Sequence, residues 1–157
     1  CFIILKNDYR KALKMKIAIA SDHGGYALKE QVKQHLLERG VEVEDLGTHS
    51  EDSVDYPVYG KLCGQTVASG KADLGVVVCG TGIGISIAAN KVKGIRCGLC
   101  TSVEMAHLTK QHNNANVLAL GGRTTKPELA MAIVDEWLDT EFEGGRHQRR
   151  IDMLDEM

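Results

Sequence analysis

The chain has 157 residues, 43% of them hydrophobic and 25% charged, which is the composition of a globular protein with a packed core. Its 19 Lys and Arg residues nearly balance 21 Asp and Glu residues, so the sequence offers no broad basic face for nucleic acid or for an anionic membrane. Its apolar runs are too short to cross a bilayer.

The first residues, "CFIILKNDYRKALK", differ in character from the rest of the chain. Their apolar part covers only residues 1–5, which is shorter than the core of a signal peptide. We expect residues 1–15 to be an N-terminal extension, an alternative start or an expression remnant, with a short docking arm as the alternative. The fold is expected to begin at Lys16 and to form a single domain over 16–157.

Strand-like and helix-like patterns then alternate along the chain. Strands are predicted over 16–22, 41–46, 72–78, 95–100 and 117–121. Helices are predicted over 26–40, 57–69, 83–91, 102–113 and 127–139 and from about Arg146. This alternation predicts an α/β fold, a Rossmann-like five-stranded parallel sheet in a three-layer α/β/α sandwich. The first helix is expected to bury Leu28, Val32, Leu36 and Leu37.

Two loops that combine glycines with polar or reactive side chains come directly after predicted strands: "SDHGG" at 21–25 and "CGTGIG" at 79–84. Ligands of such sheets bind beyond the carboxyl ends of the strands, where the winding direction reverses. If the first and third strands are neighbours, the two loops face each other across one crevice.

The glycine loop does not match the standard nucleotide motifs. A GxGxxG pattern would need glycine at position 85 or 87, where isoleucines stand, and no GK[ST] occurs in the chain. Backbone N–H groups at a helix start still favour an anion there. Cys79 opens this loop, and helix N-termini favour the thiolate form of cysteine, which acts as a nucleophile or a base. The alternative is a buried core cysteine.

The five cysteines, an odd number, lack the spacing of a disulfide framework, and no export signal is recognisable, which favours a reducing cytoplasm. "CGLC" at 97–100 is formally a CxxC motif. Because it falls within a predicted strand, Cys97 and Cys100 point to opposite faces and are interpreted as core thiols, not metal ligands.

Other polar residues are open to two interpretations. His23 ends a strand in a loop of the kind that carries function, whereas His112 is equally well a solvated helix cap. Arg146 and Arg150 share a helix face that suits a phosphate, but Arg149 is also three residues from Arg146, and a solvated basic turn is the alternative. Two histidines inside predicted helices are expected to be surface or packing residues: His35 and His107.

Five motifs, in this order and spacing, carry a family resemblance: "SDHGGYALK", "DYP", "CGTGIGISIAANKVKGIR", "QHNNANVLALGGR" and "EGGRHQRR". Over residues 16 to about 153 the chain resembles the type B ribose-5-phosphate isomerases of the ribose/galactose isomerase family. The resemblance implies interconversion of D-ribose 5-phosphate and D-ribulose 5-phosphate through a cis-enediolate, within the pentose phosphate pathway and without metal or organic cofactor.

The same resemblance assigns roles to residues. Cys79 matches the base that moves the proton between C2 and C1, His112 matches the residue that assists ring opening, and Thr81 is grouped with them as catalytic. The resemblance selects Arg150 as the companion of Arg146. The implied substrate contacts are Asp22, His23, Gly80, Thr81, Gly82, Ile83, Gly84, Asn113, Arg123, Arg146 and Arg150.

Members of the family are homodimers or dimer-based tetramers whose sites take His112 and its neighbours from the partner chain, so the resemblance implies shared active sites. Three alternatives remain open from the sequence: an allose-6-phosphate isomerase, a galactose-6-phosphate isomerase subunit, and a non-catalytic regulator that binds a phosphosugar. A regulator would have no need of Cys79.

Overall fold

Five parallel strands form a single sheet in the computed structural model, which describes residues 15–157. Residues 1–14 of the predicted extension 1–15 lie outside the described residues. The spatial order is β2-β1-β3-β5-β4, with every neighbouring pair parallel. The strands are β1 (Lys16–Ser21), β2 (Glu42–Asp45), β3 (Leu74–Cys79), β4 (Cys97–Leu99) and β5 (Val117–Gly121).

Six helices of the described chain connect the strands or come after the last of them, as the alternating pattern predicts. They are α1 (Tyr26–Glu38), α2 (Tyr56–Ala68), α3 (Ile83–Asn90), α4 (Val103–Gln111), α5 (Pro127–Asp139) and α6 (Arg146–Asp155). Gly40 and Gly70 lie just beyond α1 and α2 with φ of +80°, the left-handed conformation that ends a helix at glycine. No helix within 15–157 combines the length and apolar character needed to cross a membrane.

Alternate residues of the central strands pack into two separate hydrophobic cores, one on each face of the sheet. On one face, Val76 and Val78 of β3 pack with buried side chains of α1, α4 and α5. On the other face, Val77 and Cys79 pack with buried side chains of α2 and α3. Helices therefore cover both faces of the sheet, which confirms the predicted three-layer sandwich.

The two outer cysteines of "CGLC" behave as the sequence predicts. Cys97 packs with the core that contains α2 and α3, and Cys100 with the core that contains α1 and α5. Burial raises the pKa of Cys100 to about 11 and raises that of Cys97 further. Both are core thiols on opposite faces of the sheet.

The buried face of α1 differs from the predicted one at two positions. Leu37 is 46% exposed, whereas Lys29 is fully buried. Lys29 Nζ lies 2.7 Å from Asp45 Oδ1 and 3.0 Å from Glu30 Oε1, and Lys33 Nζ lies 3.1 Å from the second Asp45 oxygen. A hydrophobic pattern cannot anticipate this, because the carboxylate that allows the ammonium to be buried comes from another element.

Asp45→Asn is expected to lower the free energy of unfolding at pH 7 by about 1–3 kcal/mol, the usual cost of leaving a buried polar group poorly satisfied. Burial opposes ionisation of Asp45, but hydrogen bonds from Lys29, the Gly47 N–H and Lys33 outweigh it and lower the pKa of Asp45. Its contribution is therefore present above the unfolded-state pKa and is lost as the pH falls through the lower folded-state value. Urea unfolding at pH 7 and at pH 3 measures this: the difference between wild type and variant should shrink in acid. A difference that is the same at both pH values would contradict the assignment.

The winding direction of the sheet reverses at β1. The chain passes from β1 to β2 on one side and then to β3 on the other, so β1 and β3 are adjacent. Their carboxyl ends, Ser21 and Cys79, therefore open into one crevice, which confirms the predicted position of the two loops.

Candidate active site

Cys79 is the last residue of β3, and its side chain is only 4% exposed. It pairs in register with Gly121 of the neighbouring β5, so the strands on either side hold its backbone. Its Sγ accepts a hydrogen bond of 3.1 Å from the backbone N–H of Gly82. A rigidly placed sulfur with a backbone donor aimed at it suits a group that carries negative charge.

Only glycine fits at position 82. Its φ is +78°, and a Cβ there would stand 2.7 Å from Leu99 Cδ1 and 2.8 Å from the backbone carbon of Leu120. This conformation turns the Gly82 N–H back toward Cys79 while the chain enters α3 at Ile83. Thr81 Oγ1 accepts a hydrogen bond of 3.2 Å from the Ile83 N–H. The loop 80–84 thus brings the start of α3 next to the Cys79 sulfur.

Tyr56 lies against the glycine loop, although the sequence did not single it out. A Cβ on Gly84 would lie 2.6 Å from its Cζ, so its ring packs directly over Gly84, and Tyr56 is 41% exposed. The motif "DYP" contains it, but no sequence spacing links residue 56 to residue 84. Its contact depends on how α2 packs beside α3 on the same face of the sheet.

The loop after β1 supplies Asp22 and His23 to the same crevice. Asp22 is buried, and its Oδ1 accepts a hydrogen bond of 3.0 Å from the Gly25 N–H. His23 Nδ1 accepts a hydrogen bond of 3.1 Å from the Val54 N–H. Because a backbone N–H can only donate, the neutral His23 ring carries its proton on Nε2, which leaves that nitrogen as a donor for a ligand.

Arg123 comes to this crevice from the end of β5. Its backbone N–H donates to the Gly80 carbonyl at 2.9 Å, and the neighbouring Gly122 N–H donates to the Cys79 carbonyl at 2.8 Å. A Cβ on Gly80 would lie 3.2 Å from Arg123 Nη1, and a Cβ on Gly24 would lie 3.3 Å from Arg123 Cζ. Glycine at both positions lets the guanidinium lie against the two loops.

The remaining sequence-predicted residues lie at the opposite end of the sheet: His112, Asn113, Arg146 and Arg150. Helix α4 starts beyond the carboxyl end of β4 and runs back for 9 residues, about 13 Å at 1.5 Å per residue. His112 caps its far end, near Arg96 and Asn116, which precede β4 and β5. One chain therefore does not bring His112 to Cys79.

His112 lies in a cluster of its own. Its ring stacks on that of His147, with centroids 4.4 Å apart and an angle of 16° between the planes. His147 is 5% exposed, and its Nε2 finds no hydrogen-bond partner within 15–157. Burial, the adjacent His112 and the charge of Arg146 lower the pKa of His147.

Glu143 completes a group of three potential metal ligands with these two histidines. Their ligand atoms all lie within 4.8 Å of one another. The two imidazole planes are nearly parallel, however, so their in-plane lone pairs run side by side and do not converge on one point. A tetrahedral Zn²⁺ requires converging ligands at about 2.0–2.1 Å, which this arrangement does not supply.

The arginines of α6 are fully at the surface. These exposed residues are Arg146, Arg149 and Arg150, and Arg146 directly precedes His147 in the chain. Arg146 and Arg150 are four residues apart and share a helix face, as the sequence predicts. Arg146 and Arg150 together with His112 and Asn113 form a second candidate surface, which we call the distal cluster.

Comparison with known proteins identifies the fold and the family. The family model for ribose/galactose isomerases matches residues 17–154. The chain belongs to the ribose/galactose isomerase family. The family resemblance drawn from the sequence motifs is therefore confirmed, and the chain is an isomerase.

Several individual relatives are ribose-5-phosphate isomerases. Ribose-5-phosphate isomerase B of Escherichia coli is 51% identical over 139 residues, covering 88% of this chain and 93% of that protein. A solved ribose-5-phosphate isomerase from Thermotoga maritima is 56% identical with a TM-score of 0.89, covering 92% of this chain and 99% of that one. The Mycoplasma genitalium enzyme, solved with bound ribulose-5-phosphate, is 43% identical with a TM-score of 0.86, covering 91% and 95%.

Proposed function

We propose that the chain interconverts D-ribose 5-phosphate and D-ribulose 5-phosphate through a cis-enediolate, with Cys79 as the base. The observation that carries this proposal is the Cys79 sulfur at the end of β3, hydrogen-bonded to the Gly82 N–H in a glycine loop that opens α3. The relatives named ribose-5-phosphate isomerase B support the choice of substrate. The reaction belongs to the pentose phosphate pathway.

The proposed proton transfer runs between two adjacent carbons. The Cys79 thiolate removes the proton from C2 of the open-chain aldose, and the electrons of that C–H bond form the C1=C2 double bond. The aldehyde oxygen on C1 becomes an oxyanion, stabilised by N–H donors of the loop 80–84. Cys79 then returns the proton to C1, and the hydroxyl proton on O2 passes to O1, which leaves the ketone at C2.

We further propose that each active site is shared between two chains of a homodimer or of a dimer-based tetramer. Ring opening by His112 and phosphate binding by the distal cluster have to act on the same sugar as Cys79, yet the two sets lie at opposite ends of one chain. The exposed face of α3 supports a contact next to the Cys79 loop, since Ile83 and Ile87, one turn apart, are 53% and 55% exposed. A second copy packed there brings its distal cluster to this site.

Within the shared site, charge complements the substrate. Asp22 and His23 of one chain contact the sugar, while Arg123 of that chain and Asn113, Arg146 and Arg150 of the other supply the further substrate and phosphate contacts. Thr81 holds the loop through the Ile83 N–H.

We place the enzyme in the cytoplasm, where reduced thiols persist, because the cysteines within 15–157 are all free.

A direct assay tests this function. Purified protein is incubated separately with ribose 5-phosphate, allose 6-phosphate and galactose 6-phosphate, and ketose formation is followed with and without exhaustive EDTA treatment. We expect the highest kcat/KM with ribose 5-phosphate and no loss of activity with EDTA. A preference for either hexose phosphate would assign the chain to one of the two alternative isomerases. Loss with EDTA and recovery with one divalent metal would overturn the metal-free mechanism.

Arg146→Ala and Arg150→Ala are each expected to raise KM for ribose 5-phosphate about 10-fold or more, because each removes a charged hydrogen bond to the phosphate. Arg149→Ala is the matched control, since it removes the same charge from the same exposed turn. Its KM should stay within about 2-fold of wild type if phosphate binding depends on the position of each guanidinium and not on the net charge of the turn. Steady-state kinetics of the three variants decides, and equal damage from all three would indicate a diffuse basic patch.

A further inference from the structure

Arg96 joins two chain segments that are far apart in sequence. It lies just before β4, and its side chain is 14% exposed. Its Nε donates to the Asn113 carbonyl at 3.0 Å, and its Nη2 donates to the Asn114 carbonyl at 3.1 Å. Its Nη1 lies 2.7 Å and 2.9 Å from the two carboxylate oxygens of Asp155. One guanidinium thus holds the end of α4 and the end of α6 at the same time.

The backbone of Arg96 is fixed by the same neighbourhood. Its N–H donates to Asn116 Oδ1 at 2.8 Å, and its carbonyl accepts from the Asn116 N–H at 3.1 Å. Asn116 also donates through Nδ2 to the Gly94 carbonyl at 2.9 Å. The guanidinium therefore projects from a rigid point at the amino end of the sheet, and its planar fork sets the relative position of the segments that it contacts.

Those two segments are the ones that make up the distal cluster. The carbonyls that Arg96 contacts belong to Asn113 and to the residue after it, directly beyond His112 in the chain. Asp155 is the last residue of α6, the helix that carries Arg146 and Arg150. Further links between the segments are the His112–His147 ring stack and a hydrogen bond from the Glu143 N–H to the Gln111 carbonyl.

We propose that Arg96 is a positioning residue that fixes His112 and Asn113 relative to Arg146 and Arg150, so that the distal cluster enters the partner chain's site as one preformed unit. This inference rests on the shared active site proposed above. In this role Arg96 acts through the two segments that it holds and not through contact with the substrate. Its effect comes from geometry, since a displacement of about 1 Å in a catalytic group can cost as much as 100-fold in rate.

Hybrid dimers separate this role from a general effect on stability. A dimer of one Cys79→Ala chain and one His112→Ala chain, isolated through two different affinity tags, contains one intact site. That site takes Cys79 from the His112→Ala chain and His112 from the Cys79→Ala chain. Arg96→Met is then introduced into either chain. We expect kcat/KM to fall between about 10-fold and 100-fold when it lies in the Cys79→Ala chain, and to stay within about 2-fold when it lies in the other.

Arg39→Met is the matched control. Arg39 also bridges two helices through carboxylates, at 2.7 Å to Asp135 and 2.6 Å to Asp139, but it links α1 to α5. It should produce no difference between the two placements. If Arg96→Met prevents folding, Arg96→Lys replaces it, because lysine keeps the charge and loses the fork. The loss should again be confined to the Cys79→Ala chain.

The outcomes separate the two proposals. Equal losses in both placements, or no loss in either, would overturn the positioning role of Arg96 while the shared site stands. An inactive hybrid without any change at Arg96, shown by both tags to have formed, would overturn the shared site and with it the role of Arg96.

Discussion

Cys79→Ala is expected to lower kcat by about 10³-fold or more, because a positioned general base contributes about 10²–10⁴-fold to the rate of proton transfer. The affinity for ribose 5-phosphate should stay within a few-fold, since the sulfur acts in the chemical step and contributes little to ground-state binding. The Gly82 N–H loses its acceptor, but the Gly82 backbone lies close to Leu99 and Leu120, so the loop should keep its shape.

Two variants control this result. Cys79→Ser keeps an acceptor for the Gly82 N–H but replaces the thiol by a far weaker acid, so it should be nearly as inactive as Cys79→Ala. Cys97→Ala removes a thiol whose pKa burial has raised, and it should retain activity. Turnover of Cys79→Ala within 10-fold of wild type would remove Cys79 from the role of base.

Alkylation provides an independent measurement of the same assignment. Iodoacetamide should inactivate the enzyme, and ribose 5-phosphate should protect it. Burial raises the pKa of Cys63 to about 12 and that of Cys100 to about 11, so these thiols should react slowly. Peptide mass spectrometry should find the label on Cys79 in step with the loss of activity. Inactivation that proceeds while Cys79 remains unlabelled would contradict the assignment.

The parts of the fold that were predictable from the sequence are local ones. The alternation of strand and helix patterns fixes the α/β class, and glycines mark where helices end, as Gly40 and Gly70 do. The position of Cys79 at a strand end was also readable, because a buried apolar run stops there and glycines come next. These features depend on a few consecutive residues, and so one sequence suffices for them.

The features that were missed depend on contacts between distant elements. Lys29 is buried because Asp45 ends a different element at hydrogen-bond distance, and Leu37 is exposed because no element within 15–157 covers its side of α1. Tyr56 lies over Gly84 only because α2 packs beside α3. The strand order that places β4 beyond β5 is equally non-local. Hydrophobic periodicity shows which face of a helix or strand is buried, but it does not show which other element packs against that face.

The candidate site divides in the same way. Asp22, His23 and Cys79 with its loop could be grouped from the residues alone, because they come directly after adjacent parallel strands. The distal cluster could not, since spacing along the chain gives no hint that α4 carries His112 to the other end of the sheet. Its connection to catalysis came only from the family resemblance, and the single chain leaves a gap that a partner chain is proposed to fill.

Mixing two inactive proteins is expected to restore activity. Cys79→Ala and His112→Ala homodimers should each be inactive, because every shared site in them lacks either the base or the ring-opening residue. After dissociation and random reassociation, about half of the dimers are mixed, and each mixed dimer has one intact site and one doubly defective site under two-fold symmetry. Recovery should therefore approach about a quarter of the wild-type activity per chain.

The control for this experiment is a mixture of Cys79→Ala with the Cys79→Ala/His112→Ala double variant, which forms the same hybrids without any intact site and should stay inactive. The intact site in the productive mixture should also show the wild-type KM, since Arg146 and Arg150 accompany His112 from the same chain, while Arg123 accompanies Cys79. If hybrids form and no activity returns, both residues act within one chain. That result would overturn the shared site, even though the 9 residues of α4 carry His112 away from the end of the sheet where Cys79 lies.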